Sequence, residues 1–309
     1  MRKSVLLCTL LPLLGLFGAF LYWAEQRPPA HYLSDLRSQL LPGQPRPPTA
    51  RGNLLLVRPQ LYPLDYQSPA HLRLKLAAAL QHARAEGLLD SHTLVVFPEH
   101  IGTWLLARDE KAEFYRARSR QEVRDWLLLG NPLLAVRVLL ETLDADRLDE
   151  ALLRMKAERM AADYQSLFGG LAREYGVTLL AGSILLPEPQ VRDGQLHSGD
   201  GELRNLSLVF ARDGSILGQP YSEAWPWQAD AAPQALEHAG QPLLIERSWA
   251  PGYPQSQVRL PGQASSPPLF LRGKLSWPIG GAPRRVELTP TQIEQDSPAA
   301  GSHLLNLWL

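Results

Sequence analysis

A glutamate behind a short apolar run carries the clearest chemistry in this chain: Leu94, Val95, Val96 and Phe97 lead into Pro98, Glu99 and His100. A carboxylate at the end of a strand can take a proton from a nucleophile or hold a cation. The nucleophile is harder to find. The single cysteine, Cys8, lies inside an apolar leader, where a thiol serves as a small hydrophobe. There is no Gly-x-Ser-x-Gly elbow, and Ser183 and Ser248 have no histidine nearby in sequence, which argues against a serine hydrolase. His92, Glu99 and His100 are ligand types, but neither a His-Glu-x-x-His pattern nor paired cysteines frame them, so no metal is expected. Gly169 with Gly170 and Gly280 with Gly281 read as turns rather than phosphate loops, and no cofactor is expected.

The elements that would position Glu99 follow from hydrophobic periodicity. Residues 54–57 form a continuous apolar run, as in a strand buried on both faces. Ser68 and Pro69 supply an N-cap and first-turn pair, and Leu72, Leu76, Leu80 and Ala83 then recur at helical spacing until Gly87. With residues 94–97 the opening unit reads β, α, β. Residues 104–165 read as helix-rich, broken at Gly130, Asn131 and Pro132. Met160, Tyr164, Leu167, Phe168, Leu171 and Tyr175 make the strongest amphipathic face, closed by Gly176. Residues 177–186 predict one strand containing Ala181, Gly182 and Ser183, and residues 206–211 another, followed by the turn Asp213, Gly214, Ser215. Further strands are expected at 243–246, 269–271 and 304–309.

Composition narrows the class. With 309 residues, 45% hydrophobic and 20% charged, the chain can bury one substantial core. Lys and Arg balance Asp and Glu at 31 each, so no net field attracts nucleic acid. Arg2 and Lys3 precede an uncharged stretch over residues 5–23 that would rise roughly 28 Å as a helix, close to the thickness of a bilayer core. Tyr22 and Trp23 suit the far interface and the basic pair the cytoplasmic side. The expectation is a single-pass anchor over residues 1–25, with the domain outside the cytoplasm, periplasmic in a bacterium. A cleaved signal peptide is the competing reading, but Tyr22 and Trp23 before Ala24 make a poor cleavage site. Six prolines between Pro28 and Pro48 suggest an extended tether over residues 26–52, with the folded body at 53–309.

This succession resembles the carbon-nitrogen hydrolase, or nitrilase, superfamily over roughly residues 53–226. The matching features are the β, α, β opening that ends in Pro98 and Glu99, the Ala181, Gly182, Ser183 strand, the Asn205 strand and the Asp213, Gly214 turn. The resemblance implies an α/β fold, an α-β-β-α sandwich, preceded here by the N-terminal transmembrane helix, and subunits that pair into a homodimer. It also implies cysteine attack on an amide or nitrile carbon, with a glutamate as general base and a lysine to stabilise the developing charge. Glu99 stands at the base position. In the segment Tyr221 to Pro226 that resembles the lysine's surroundings, Glu223 takes its place. A carboxylate cannot stabilise an oxyanion, and facing Glu99 in a dry pocket it would drive one pKa upward. Ala239 through residue 246 resembles the strand before the family's cysteine, and Pro251 with Gly252 the next turn, yet no cysteine follows. Pro254, Pro261, Pro267 and Pro268 argue against a buried strand there, so the C-terminal part reads as shortened. Lys274 reads as a solvated loop lysine, and Trp225, Trp227, Trp249 and Trp277 as core or interface packing, with the lining of a pocket opening near Glu99 as the alternative.

The reading is therefore a degenerate, membrane-anchored bacterial member of that superfamily, a binding or accessory protein with an amide-like small-molecule ligand. The alternative is an active hydrolase of amide or nitrile C–N bonds with a rearranged site using Glu99.

Overall fold

The computed structural model describes residues 2–27, 32–43, 45–141, 145–226, 233–250, 253–259, 269–271, 274–275, 289–290 and 301–309. In chain order the strands are β1 (Ser38–Leu40), β2 (Asn53–Arg58), β3 (Gln60–Leu61), β4 (Thr93–Val96), β5 (Thr178–Leu180) and β6 (Ile184–Pro187). Then come β7 (Gln190–Arg192), β8 (Gln195–His197), β9 (Leu203–Phe210), β10 (Ile216–Ala224), β11 (Gln234–His238) and β12 (Gln241–Ala250). The last are β13 (Tyr253–Arg259), β14 (Leu269–Leu271), β15 (Lys274–Leu275), β16 (Thr289–Pro290) and β17 (Ser302–Trp308). The α-helices are α1 (Arg2–Glu25), α2 (Pro69–Ala85), α3 (Arg120–Gly130), α4 (Pro132–Glu141) and α5 (Ala145–Tyr175).

Two compact units divide the chain. The larger comprises Tyr32–Arg108, Lys156–Trp277 and Ala282–Leu309. It is a mixed α/β body. Its main sheet runs β1-β17-β2-β4-β5-β9-β10, with β6 also paired to β9. The central strands β2, β4 and β5 are parallel, and β2 and β4 are buried throughout, which explains their unbroken apolar sequences. A second sheet, β11-β12-β13-β14-β16, faces the first: Leu54, Leu56, Leu94, Val96, Leu180 and Val209 share one core cluster with Leu243, Ile245 and Val258.

On the opposite face of the main sheet lie α2 and the C-terminal part of α5. Ser68 caps α2 by accepting from the His71 N–H, with Pro69 in the first turn. The stripe Leu72, Leu76, Leu80 and Ala83 is fully buried, and Phe97 packs its ring 5.6 Å from that of Phe168 on α5. The layers are helix, sheet, sheet. The fourth layer that the sandwich resemblance implies is formed by neither α2 nor α5.

Several expectations change in detail. The proline-rich stretch 26–52 is not tether throughout, because β1 adds a parallel edge strand to β17 and the Tyr32 and Ser34 hydroxyls donate to Asp65. The folded body thus reaches back to Tyr32, since three residues between prolines suffice for an edge strand. The single strand over 177–186 is instead β5 and β6, interrupted at Gly182. A Cβ there would sit 1.7 Å from the Pro98 carbonyl oxygen, so the chain is pressed against the end of the Glu99 strand. The proline-rich segment after residue 252 does form a strand, β13, with Pro254 near its start opposite Trp249, a position where no central ladder bond is lost. Lys274 lies on β15, paired with β3, rather than in a loop. The turns at Pro251 and Gly252, and Trp227 and Trp277, fall outside the described residues.

The smaller unit comprises Met1–His31, Asp109–Met155 and Pro278–Gly281. In it α3 packs on α4 and α1. The last turn of α1 is held by two cations. Lys111 Nζ donates to the Trp23 and Gln26 carbonyls, and Arg27 to the carbonyls of Ala24, Asp109 and Gly130, so positive charge meets the negative end of the helix. Among the described residues no helix is long and apolar enough to cross a membrane. The transmembrane helix expected over residues 1–25 gains no support from this.

Candidate functional site

Glu99 lies just past the end of β4, where Phe97 N–H still donates to Leu180 and Pro98 turns the chain. The close approach at Gly182 brings Ser183 beneath it. Ser183 Oγ accepts the His100 N–H at 2.8 Å and its hydroxyl bonds to Glu99. His100 adopts φ 58°, a left-handed conformation uncommon for a residue with a Cβ. That conformation turns its N–H back toward Ser183.

The other partners of Glu99 come from distant strands. Asn205 on β9 donates Nδ2 to Oε2 at 3.1 Å, and Arg247 on β12 donates Nε to Oε1 at 2.9 Å. The Glu99 and Arg247 side chains are 2% and 1% exposed. Arg247 also donates Nη2 to Gln234 Oε1 at 2.9 Å and stacks its guanidinium 4.1 Å above the Tyr221 ring. Burial pushes the Glu99 carboxyl upward, but the Arg247 charge, aided by Ser183, His100 and Asn205, outweighs it and holds the group below its ordinary value. The carboxylate is charged, paired and buried.

Glu223 belongs to the same cluster. It pairs in register with Asn205, and Tyr221 with Ser207, and two-residue spacing on β10 places Tyr221 and Glu223 on one face. Glu223 is 8% exposed. Burial raises its pKa, the Tyr221 hydrogen bond and Arg247 lower it in part, and the Glu99 charge raises it again. The two carboxylates are therefore shifted in opposite directions: Glu99 is held low by Arg247, its direct partner, whereas burial and the Glu99 charge raise Glu223.

The cation beside Glu99 is Arg247, which sequence reasoning missed together with Gln234. A signal was present. Leu243 and Ile245 alternate inward on β12 and are 0% and 1% exposed, so the next position in phase, Arg247, also points inward. In this cluster Asn205 Oδ1, Ser207 Oγ, Glu223 Oε1 and Arg247 Nη1 are buried with no hydrogen-bond partner among the described residues. Native interiors rarely leave such atoms unmatched, and ordered water is their usual partner. His100 lies edge-on to Trp225 at 5.2 Å, and burial pulls its pKa down to about 4, partly opposed by Glu99. Of the four tryptophans weighed as lining near Glu99, Trp225 is the one the described side chains place there. Among the described residues no cluster of His, Cys, Asp and Glu could hold a metal ion.

No protein-family model matches the sequence, and no curated protein matches it. Among solved structures the chain is similar to an amidase from Nesterenkonia sp. AN1 that carries the acetamide moiety of fluoroacetamide on its active-site cysteine. Identity is 15%, with 64% of this chain and 56% of that one covered and a TM-score of 0.33. A mutant of the same amidase, described as from the nitrilase superfamily, matches at 15% identity over 64% and 55%, with a TM-score of 0.32. An N-terminal amidase with a Gln-Gly peptide matches at 11% over 71% and 38%, with a TM-score of 0.29. The chain thus spans little more than half the length of the Nesterenkonia amidase. Identities and scores this low assign neither a family nor a reaction to the chain.

Proposed function

We propose that this protein is a degenerate nitrilase-like domain, membrane-anchored by α1, that binds a small amide-like molecule without hydrolysing it. The observation that carries the reading is the buried Arg247–Glu99 pair. A general base must be free to take a proton, and a carboxylate whose two oxygens are engaged by Arg247 and Asn205, with its pKa held low, is a poor one. Arg247 beside Glu99, Glu223 in the segment resembling the family's lysine, and a lone cysteine at position 8 all point away from thiolate chemistry. Binding is supported by the unmatched atoms. Arg247 Nη1 is a donor, and Asn205 Oδ1 and Glu223 Oε1 are acceptors; together they complement a group that both accepts and donates, as a carboxamide does.

Anchoring is supported by the surface of α1. Leu11, Leu13, Leu14, Leu16 and Phe17 are all more than half exposed, so the helix is apolar on every side, a pattern that suits lipid rather than one packed face. Arg2 and Lys3 before it support a cytoplasmic N-terminus and a domain outside the cytoplasm. A homodimer through the sandwich belongs to the same proposal.

The test pairs turnover with binding on the purified full-length chain. Across a panel of amides and nitriles, ammonia release should not exceed that of Glu99→Gln. Acetamide and butyramide should raise the melting temperature in a concentration-dependent way. Ammonia release that depends on Glu99 would overturn the reading in favour of a working hydrolase.

A further inference from the structure

The smaller unit carries an apolar stripe that its own packing leaves uncovered. Leu129 on α3, and Leu133, Val136 and Leu140 on α4, are 44%, 75%, 56% and 83% exposed. The spacing of three and four residues keeps Leu133, Val136 and Leu140 on one side of α4, and Leu129 lies near the end of the preceding helix. On the other side of α4, Val138 is fully buried. Outside α1 the other large apolar side chains exposed among the described residues, Leu33, Leu36, Leu74 and Leu217, form no such row.

We infer that α4 is a second membrane contact, lying along the bilayer interface with this stripe turned into the acyl chains of the leaflet that α1 exits. The inference rests on the reading of α1 as an anchor. Within the smaller unit the start of α4 is tied to the end of α1. Leu21, Ala24, Pro132 and Leu133 line one cavity of about 390 Å³, and Arg27 joins the last turn of α1 to the Gly130 carbonyl. Tyr22 and Trp23, 69% and 40% exposed, sit on that last turn, and exposed Tyr and Trp at a helix end suit the water–lipid boundary. A helix that begins at this level, with an apolar row on one side and the exposed Arg137 beside it, has the make-up of an interfacial helix. A second protein surface fits less well, since four side chains present on the order of 400 Å² of apolar surface, about half of what one side of a standard interface buries.

The test uses the full-length chain with Cys8→Ser, reconstituted into phosphatidylcholine vesicles with or without brominated acyl chains. A fluorophore is placed singly at Leu133→Cys, Val136→Cys and Leu140→Cys. Leu14→Cys reports on the anchor, and the exposed strand position Leu217→Cys serves as the water-facing control. Quenching by brominated lipid at all three α4 positions, with none at Leu217, is the expected result. An α4 as unquenched as Leu217 overturns the inference, whether its probes are wet or are shielded by a second copy that crosslinks through them. Leu14 is scored separately, so an unquenched Leu14 counts against the anchor and not against α4. The probed positions are exposed, and an unchanged circular dichroism melt in each variant confirms that folding is intact.

Discussion

Arg247 Nε donates to Glu99 Oε1 at 2.9 Å, a contact between groups 148 residues apart in sequence that sets a full positive charge against a buried carboxylate. Buried pairs of this kind add little net stability, because desolvating both ions offsets their attraction. Losing one partner is another matter.

Replacing Arg247 by Met should therefore cost about 3–5 kcal/mol, the usual penalty for stranding a buried charge. Adding Glu99→Gln in the same chain should restore much of that loss. Urea unfolding of the single and double variants measures both. A single variant as stable as the parent would show that Glu99 has another compensating charge.

Stability should fall in acid through His100. Its pKa in the folded protein is depressed to about 4 from 6.5, so the unfolded chain binds the proton more readily. The contribution is complete above pH 6.5 and is lost as pH falls toward 4, on the order of 3 kcal/mol across that window. Glu99, also depressed, adds a loss below its ordinary range near 4.5. Glu223 works the other way. Its raised pKa means that ionisation costs stability as pH rises past that range, so Glu223→Gln should stabilise the protein at neutral pH, while His100→Gln should flatten the acid limb. Unfolding free energies from pH 4 to pH 8, on the order of one per half unit, separate the two effects.

Gly182→Ala should be severe. The added methyl would meet the Pro98 carbonyl oxygen at 1.7 Å, and backbone on both sides leaves nothing flexible to yield. A loss of about 1–3 kcal/mol or more is expected. Because Ser183 would shift with it, amide-induced stabilisation should weaken beyond what the lower melting temperature accounts for. Thermal melts with and without butyramide provide the comparison.

Much of the scaffold was legible in local pattern. The Ser68 and Pro69 start of α2, its Leu72 to Ala83 stripe, the buried face of α5 and the apolar strands β2 and β4 were all read from periodicity, because each buries a face set by its own residues. Boundaries failed where a distant contact ruled. β1 exists because β17 offers it an edge, and β5 and β6 separate because Pro98 presses on Gly182. Neither partner is near in sequence.

By itself the sequence determined which chemical groups the chain carries and where: its one cysteine is at position 8 and a carboxylate stands at position 223, where the resemblance implies a cation. Tertiary structure alone decided what surrounds Glu99. The pairing of β9 with β10 set Glu223 beside Asn205, and the inward phase of β12 delivered Arg247 across the sandwich. Strand alternation tells which way a side chain points, but which group it meets depends on how two sheets are laid against each other.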